Sequence, residues 1–136
     1  MPVTPAPAGL GFDSALGDSL RDAVRGLLAQ AAGGENAALD LNPTAQGFYP
    51  PVGYDAAWRV VQCIENQDKT YSPHADAARV AWLADPLDRR SWYARSRSRV
   101  AAALLLAAPG IAALFMGQEI LEDKLWDDMK RITPAT

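Results

Sequence analysis

Two short apolar runs separated by a strong helical pattern constrain this chain more than any other feature. Trp58 to Ile64 reads WRVVQCI and Ile111 to Met116 reads IAALFM, both too short for ordinary helices. Each is nearly continuous rather than alternating, as expected of a strand covered on both faces, although Arg59 and Gln62 interrupt the first. Between them, Ser91 to Ala107 carries Trp92, Ser96, Val100, Ala103, Leu104 and Ala107 at helical spacing, and Pro109 with Gly110 stops it. A helix joining two such strands implies a right-handed crossover and a parallel pair. The polar tails of the two strands, IENQD over 64–68 and GQE over 117–119, then reach the same edge of the sheet. In parallel sheets that edge is where ligands bind.

The remaining segments fill in around this unit. Residues 1–12, with Pro2, Pro5 and Pro7, read as an irregular lead-in. From Asp13 a helix of about five turns is predicted, with Leu16, Leu20, Val24, Leu27, Leu28 and Ala31 inward, Asp13 or Ser14 as cap, and Gly33 and Gly34 as stop. Arg21, Asp22 and Arg25 lie off that stripe and are expected to face water. Residues 35–57 read as a loop with room for one helical turn. A second loop around Ser72 to Asp76 leads to a short helix near Ala77 to Ala84, which Pro86 terminates, and a final short helix is predicted near Leu121 to Arg131.

Composition narrows the function classes. A net charge of -3 offers no field to gather nucleic acid or anionic lipid. The single cysteine, Cys63, excludes an internal disulfide and a cysteine-based metal site. The uncharged stretch Val100 to Gly117 is about as long as a membrane span, but Pro109 and Gly110 cut it in two, so no span is predicted. MPVTPAPAG lacks the basic start and apolar run of a secretory leader, and a cytoplasmic location is expected.

The segment IENQD after a buried strand, together with GIAALFMGQE, resembles the last two barrel strands of glycoside hydrolase family 13, the α-amylase superfamily. The intervening ADPLDRRSWYARSRSRVAAALLLAAPG resembles the seventh helix of its bacterial 1,4-α-glucan branching-enzyme group. The likeness runs from Gly11 to Trp126. It implies an α/β fold that is part of a TIM (β/α)8 barrel: helix 6, strand 7, helix 7, strand 8 and a following short helix, over residues 13–136. It also implies that Asp68 takes the position of the third family carboxylate, with Asn66, Gln67 and Glu119 near the sugar, α-linked glucan as substrate, and neither cofactor nor metal. Gln67 stands where the family has His, and Ala112 where it commonly has Pro. Branching, hydrolytic and trehalose-forming relatives share these strands.

The family's nucleophile and general acid belong to its fourth and fifth strands, for which no segment of Met1 to Gly53 can substitute. A whole barrel takes about 250 residues. The expectation is therefore a fragment, inactive alone, that associates with the missing N-terminal part of the barrel. The alternative is a non-catalytic half-barrel module bound to a partner chain.

Single residues have plainer readings too. His74, the one histidine, reads as a surface loop residue, Glu65 as half of a structural salt bridge, and Glu119 as a rim residue as well as a sugar contact. Arg89, Arg90, Arg95, Arg97 and Arg99 read as a solvated or ion-paired face. Trp92 is expected in the core, while Tyr93 and Trp126 have the chemistry to stack on sugar rings.

Overall fold

The computed structural model describes residues 12–50, 54, 56–127 and 129. They form a mixed α/β structure around a three-stranded, wholly parallel sheet in the order β1 (Ala15–Gly17), β2 (Val60–Gln62), β3 (Ile111–Ala112). Its register pairs Leu16 with Val61 and Val61 with Ile111, so the three strands run side by side in chain order. The predicted parallel arrangement of the two apolar runs is thus present. The strands are shorter than the runs: β2 is preceded by a 3-10 turn over Ala57–Arg59, and only the first two residues of IAALFM pair.

Among the described residues five α-helices accompany the sheet: α1 (Ser19–Ala31), α2 (Asn42–Gly47), α3 (Gln67–Thr70), α4 (Val80–Ala84) and α5 (Trp92–Ala107). The start of α1 corrects the sequence reading. The predicted helix from Asp13 begins instead at Ser19, and Ala15–Gly17 is a strand. Leu16, Leu20 and Val24 keep a four-residue spacing through the strand-to-helix turn, so periodicity alone joins the two elements. Arg21 also departs from expectation: it is 8% exposed and pairs with Asp18 at 2.6 Å and Asp22 at 2.9 Å. Arg25 turns inward as well, donating to the Ala78 carbonyl at 2.9 Å. Their long stems cover apolar surface while the charged heads find oxygen partners.

Helix α5 has the predicted length. Ser91 caps it, its Oγ accepting from the Ala94 amide at 2.9 Å and donating to Asp85 at 2.6 Å. The buried face differs: Ala94, Ser98, Ala101 and Leu105 are inside, whereas Trp92 is 66% exposed. Three small residues let the helix approach its neighbours closely, a geometry the bulkier Trp92 face does not permit. The core joins Leu20, Val24 and Leu28 of α1, Ile64 beyond β2, Val80 and Ala84 of α4, and Ala101 and Leu105 of α5.

After β3 the chain makes a 3-10 turn at Gln118–Ile120 and no helix through Asp127, which corrects the start of the predicted helix near Leu121; residues 128, 130 and 131 of that prediction lie outside the described set. The lead-in lies outside it too, apart from Phe12. Among the described residues no helix is long and apolar enough to cross a membrane, and Val100 to Gly117 is divided between α5 and β3.

Candidate functional site

The tail of β2 separates into an inward and an outward half. Glu65 turns inward, its carboxylate 2.5 Å from the Arg79 guanidinium and 2.5 Å from the Val80 amide, which donates to it. Burial pushes the Glu65 carboxyl up, and the charge of Arg79 with the Val80 amide opposes that rise. The salt bridge expected for Glu65 is therefore formed, and it is fully enclosed. Asn66 holds the N-terminus of α3, its Oδ1 accepting from the Lys69 amide at 3.0 Å. Gln67 and Asp68 follow on the first turn, both exposed. The Asn66 backbone oxygen accepts from the Thr70 hydroxyl at 2.8 Å, so the segment commits both Asn66 oxygens to structure and leaves the Gln67 amide and the Asp68 carboxylate facing outward.

The tail of β3 divides in the same way. Gly117 takes a φ of 87°, and a Cβ there would sit 2.7 Å from Glu122 Cβ, so the turn depends on glycine. Gln118 is 9% exposed, its Oε1 accepting from the Phe115 amide at 3.4 Å, while Glu119 is exposed. Arg79 fastens the two tails together: besides Glu65, it donates to Met116 O at 3.0 Å and Lys124 O at 2.8 Å. Asp68 and Glu119 therefore stand beyond the carboxyl ends of adjacent parallel strands, with the chain after each strand anchored to one buried guanidinium. Sequence reasoning did not find Arg79: it put this arginine inside the short helix near Ala77 to Ala84, whereas α4 begins only at Val80, and no local signal marks its burial.

A second group of side chains gathers at this edge. Tyr71 and Trp126 form an isolated parallel bridge, with Trp126 N donating to Thr70 O at 2.8 Å and Ser72 N to Trp126 O at 3.0 Å. The ring of Tyr71 lies 5.2 Å from that of Trp126 and 5.4 Å, edge-on, from His74. Phe115 meets Trp126 edge-on at 6.3 Å, with the Arg79 guanidinium 5.5 Å from the Phe115 ring. His74 is an exposed loop residue, and its Nδ1 lies 2.8 Å from the backbone carbonyl of Asp68. A carbonyl only accepts, so Nδ1 carries the hydrogen.

Three of the five arginines around α5 have local partners. Arg90 pairs with Asp123 at 2.8 Å, Arg89 lies 3.5 Å over the Trp82 ring, and Arg97 donates to Ala84 O at 2.5 Å. Among the described residues no group of three or more His, Cys, Asp or Glu is placed to hold a metal ion, and Cys63 is buried. A cavity of about 310 Å³ is lined by residues of α1, α5 and the loop between α1 and α2, with none from 65–76.

The described residues thus define a mixed α/β fold with five α-helices and a three-stranded parallel sheet among them, with the exposed carboxylates of Asp68 and Glu119 at the ends of neighbouring strands. No family model matches the chain, and no curated protein matches it.

Proposed function

We propose that this chain is the closing part of an α-amylase-type (β/α)8 barrel and binds α-1,4-linked glucan through Asp68. The observation that carries the reading is the strand arrangement. β1, β2 and β3 are parallel, adjacent in chain order, and separated by helical segments, the progression that a (β/α)8 barrel requires. On this reading β1, which periodicity had merged into a helix, stands as the sixth strand, α1 as the sixth helix, β2 and β3 as strands seven and eight, and α5 as the seventh helix.

Retaining glycosidases and transglycosylases use one carboxylate as nucleophile and a second as acid/base around an oxocarbenium-like transition state. Asp68 takes neither role. It accepts hydrogen bonds from sugar hydroxyls, which are charge-assisted and tighten as positive charge develops on the ring. Asn66, Gln67 and Glu119 line the same sugar. Gln67 can donate and accept but cannot become a cation, so it supplies orientation without charge. The nucleophile and general acid come from barrel strands other than these three, and the reaction needs no cofactor.

Exposed apolar side chains on both outer strands, Leu16 of β1 and Ile111 of β3, favour a second reading as well. There the same unit is a non-catalytic half-barrel that docks on a partner chain through its open sheet edges.

Calorimetric titration with maltoheptaose tests the first reading. The wild-type chain is expected to bind, and Asp68→Asn to weaken binding about tenfold or more, following the ~1.5–3 kcal/mol of a hydrogen bond to a charged group. Equal affinities for the two proteins would remove Asp68 from the site.

A further inference from the structure

We propose that Tyr71, His74 and Trp126 form a platform that holds a glucosyl ring beside Asp68. This rests on the α-glucan reading above and adds to it a contact that neither strand motif contains.

The platform is built in advance. Two backbone hydrogen bonds, Trp126 N to Thr70 O and Ser72 N to Trp126 O, hold the segments carrying Tyr71 and Trp126 side by side. Phe115 closes against Trp126 from another side, and Arg79 lies near Phe115. Two aromatic side chains, with few rotatable bonds and two ring neighbours each, lose little freedom when a ligand arrives. Tyr71 and Trp126 are half-buried and His74 is exposed, so the group keeps surface open to solvent while its backbone is fastened.

The platform is also tied to the backbone of the residue that carries the carboxylate. His74 Nδ1 is bonded to the carbonyl of Asp68 itself at 2.8 Å, and the His74 ring touches Tyr71. In the neutral ring with its hydrogen on Nδ1, Nε2 is an acceptor. One exposed edge therefore offers apolar ring surface from Tyr71 and Trp126 together with acceptors at His74 Nε2 and Asp68 and both kinds of group at Gln67. A pyranose presents the complementary pair of surfaces: C–H groups across its face and hydroxyls around its rim. Aromatic residues with a polar handle suit a ligand that is apolar on one side and hydrated on the other.

The test compares the wild-type chain with Tyr71→Leu, His74→Ala and Asp68→Asn in calorimetric titrations with maltoheptaose, circular dichroism establishing that each is folded. His74→Ala removes an exposed side chain and keeps the test open should Tyr71→Leu fail to fold. The expected result is an affinity loss of about three- to tenfold for each platform variant, the range aromatic pairs contribute beyond area burial. Maltoheptaose should also change the tryptophan fluorescence of the wild-type chain, and Trp126→Phe, which keeps a ring, should abolish that change. Platform variants that bind like wild type while Asp68→Asn is weakened would overturn the platform and leave the Asp68 site standing. Weakened platform variants beside an unaffected Asp68→Asn would uphold the platform and remove the carboxylate. A wild-type chain that binds no maltoheptaose overturns both.

Discussion

Glu65 and Arg79 form an ion pair at 2.5 Å with side chains 2% and 1% exposed, and the same guanidinium reaches the carbonyls of Met116 and Lys124. One residue before α4 thus holds the end of β2 to the segment following β3. Removing one partner leaves the other charge buried and unpaired, which costs ~3–5 kcal/mol, whereas replacing both with apolar groups is often nearly neutral. Arg79→Met alone is expected to destabilise by that amount in urea unfolding, and Glu65→Leu combined with Arg79→Met to recover much of it. A single-variant loss below ~1 kcal/mol would show that surface-type pairing is all that operates here.

Gly110 sets the approach of β3 to β2. Its φ is 130°, and a Cβ there would lie 2.7 Å from the Val60 carbonyl oxygen, with which it cannot coexist unless the strands part. Gly110→Ala should cost ~1–3 kcal/mol through strain at this position. Its effect should appear first in the amide exchange of Ala113, whose N–H donates to Gln62 O at 2.8 Å across the two strands. Unchanged exchange at Ala113 would mean that the contact is not what limits the register.

Acid should loosen the bracing around α5 before it reaches the core. The Ser91 hydroxyl and the Asp88 and Leu87 amides hold Asp85 below the usual carboxylate range, and the Arg90 guanidinium does the same for Asp123. A carboxyl with a depressed folded-state pKa contributes stability above its unfolded value of ~3.9 and loses it as pH falls through the lower, folded value. Asp123→Asn should therefore be less stable than wild type at neutral pH, and the gap should close as the solution is acidified to about pH 2. Denaturant midpoints across that range measure it. A gap that is constant with pH would assign the effect to packing instead of charge.

Much of this arrangement was legible in the residues because it depends on local chemistry. Continuous apolar runs ending in polar tails fixed the two parallel strands, and Ser91 with Pro109 bounded α5 to within a residue. What escaped depends on who meets whom. The strand Ala15–Gly17 shares its apolar spacing with the helix that follows it, and only pairing with Val60–Gln62 tells them apart. The face of α5 was read from the spacing of Trp92, Ser96, Val100, Ala103, Leu104 and Ala107, yet Ala94, Ser98, Ala101 and Leu105 are the buried ones, and Trp92 is left outside. In the tail of β2, strand alternation would put Glu65 and Gln67 on one face, and the start of α3 at Gln67 is what separates them. The aromatic group could not be read from the sequence, because Tyr71 and Trp126 lie 55 positions apart and meet only through one isolated bridge.

In the proposed function, Asp68 acts as the third carboxylate of an α-amylase-type site. Grafting residues 12–127 in place of the corresponding last three strands and helices of an active α-amylase-family enzyme, then measuring reducing-sugar release from amylose, tests it most directly. The 136-residue chain alone is expected to be inactive, the graft to be active, and Asp68→Asn in the graft to lower kcat by about 10²–10³, as when an electrostatic stabiliser of a transition state is lost. An active graft whose rate is untouched by Asp68→Asn would contradict that role.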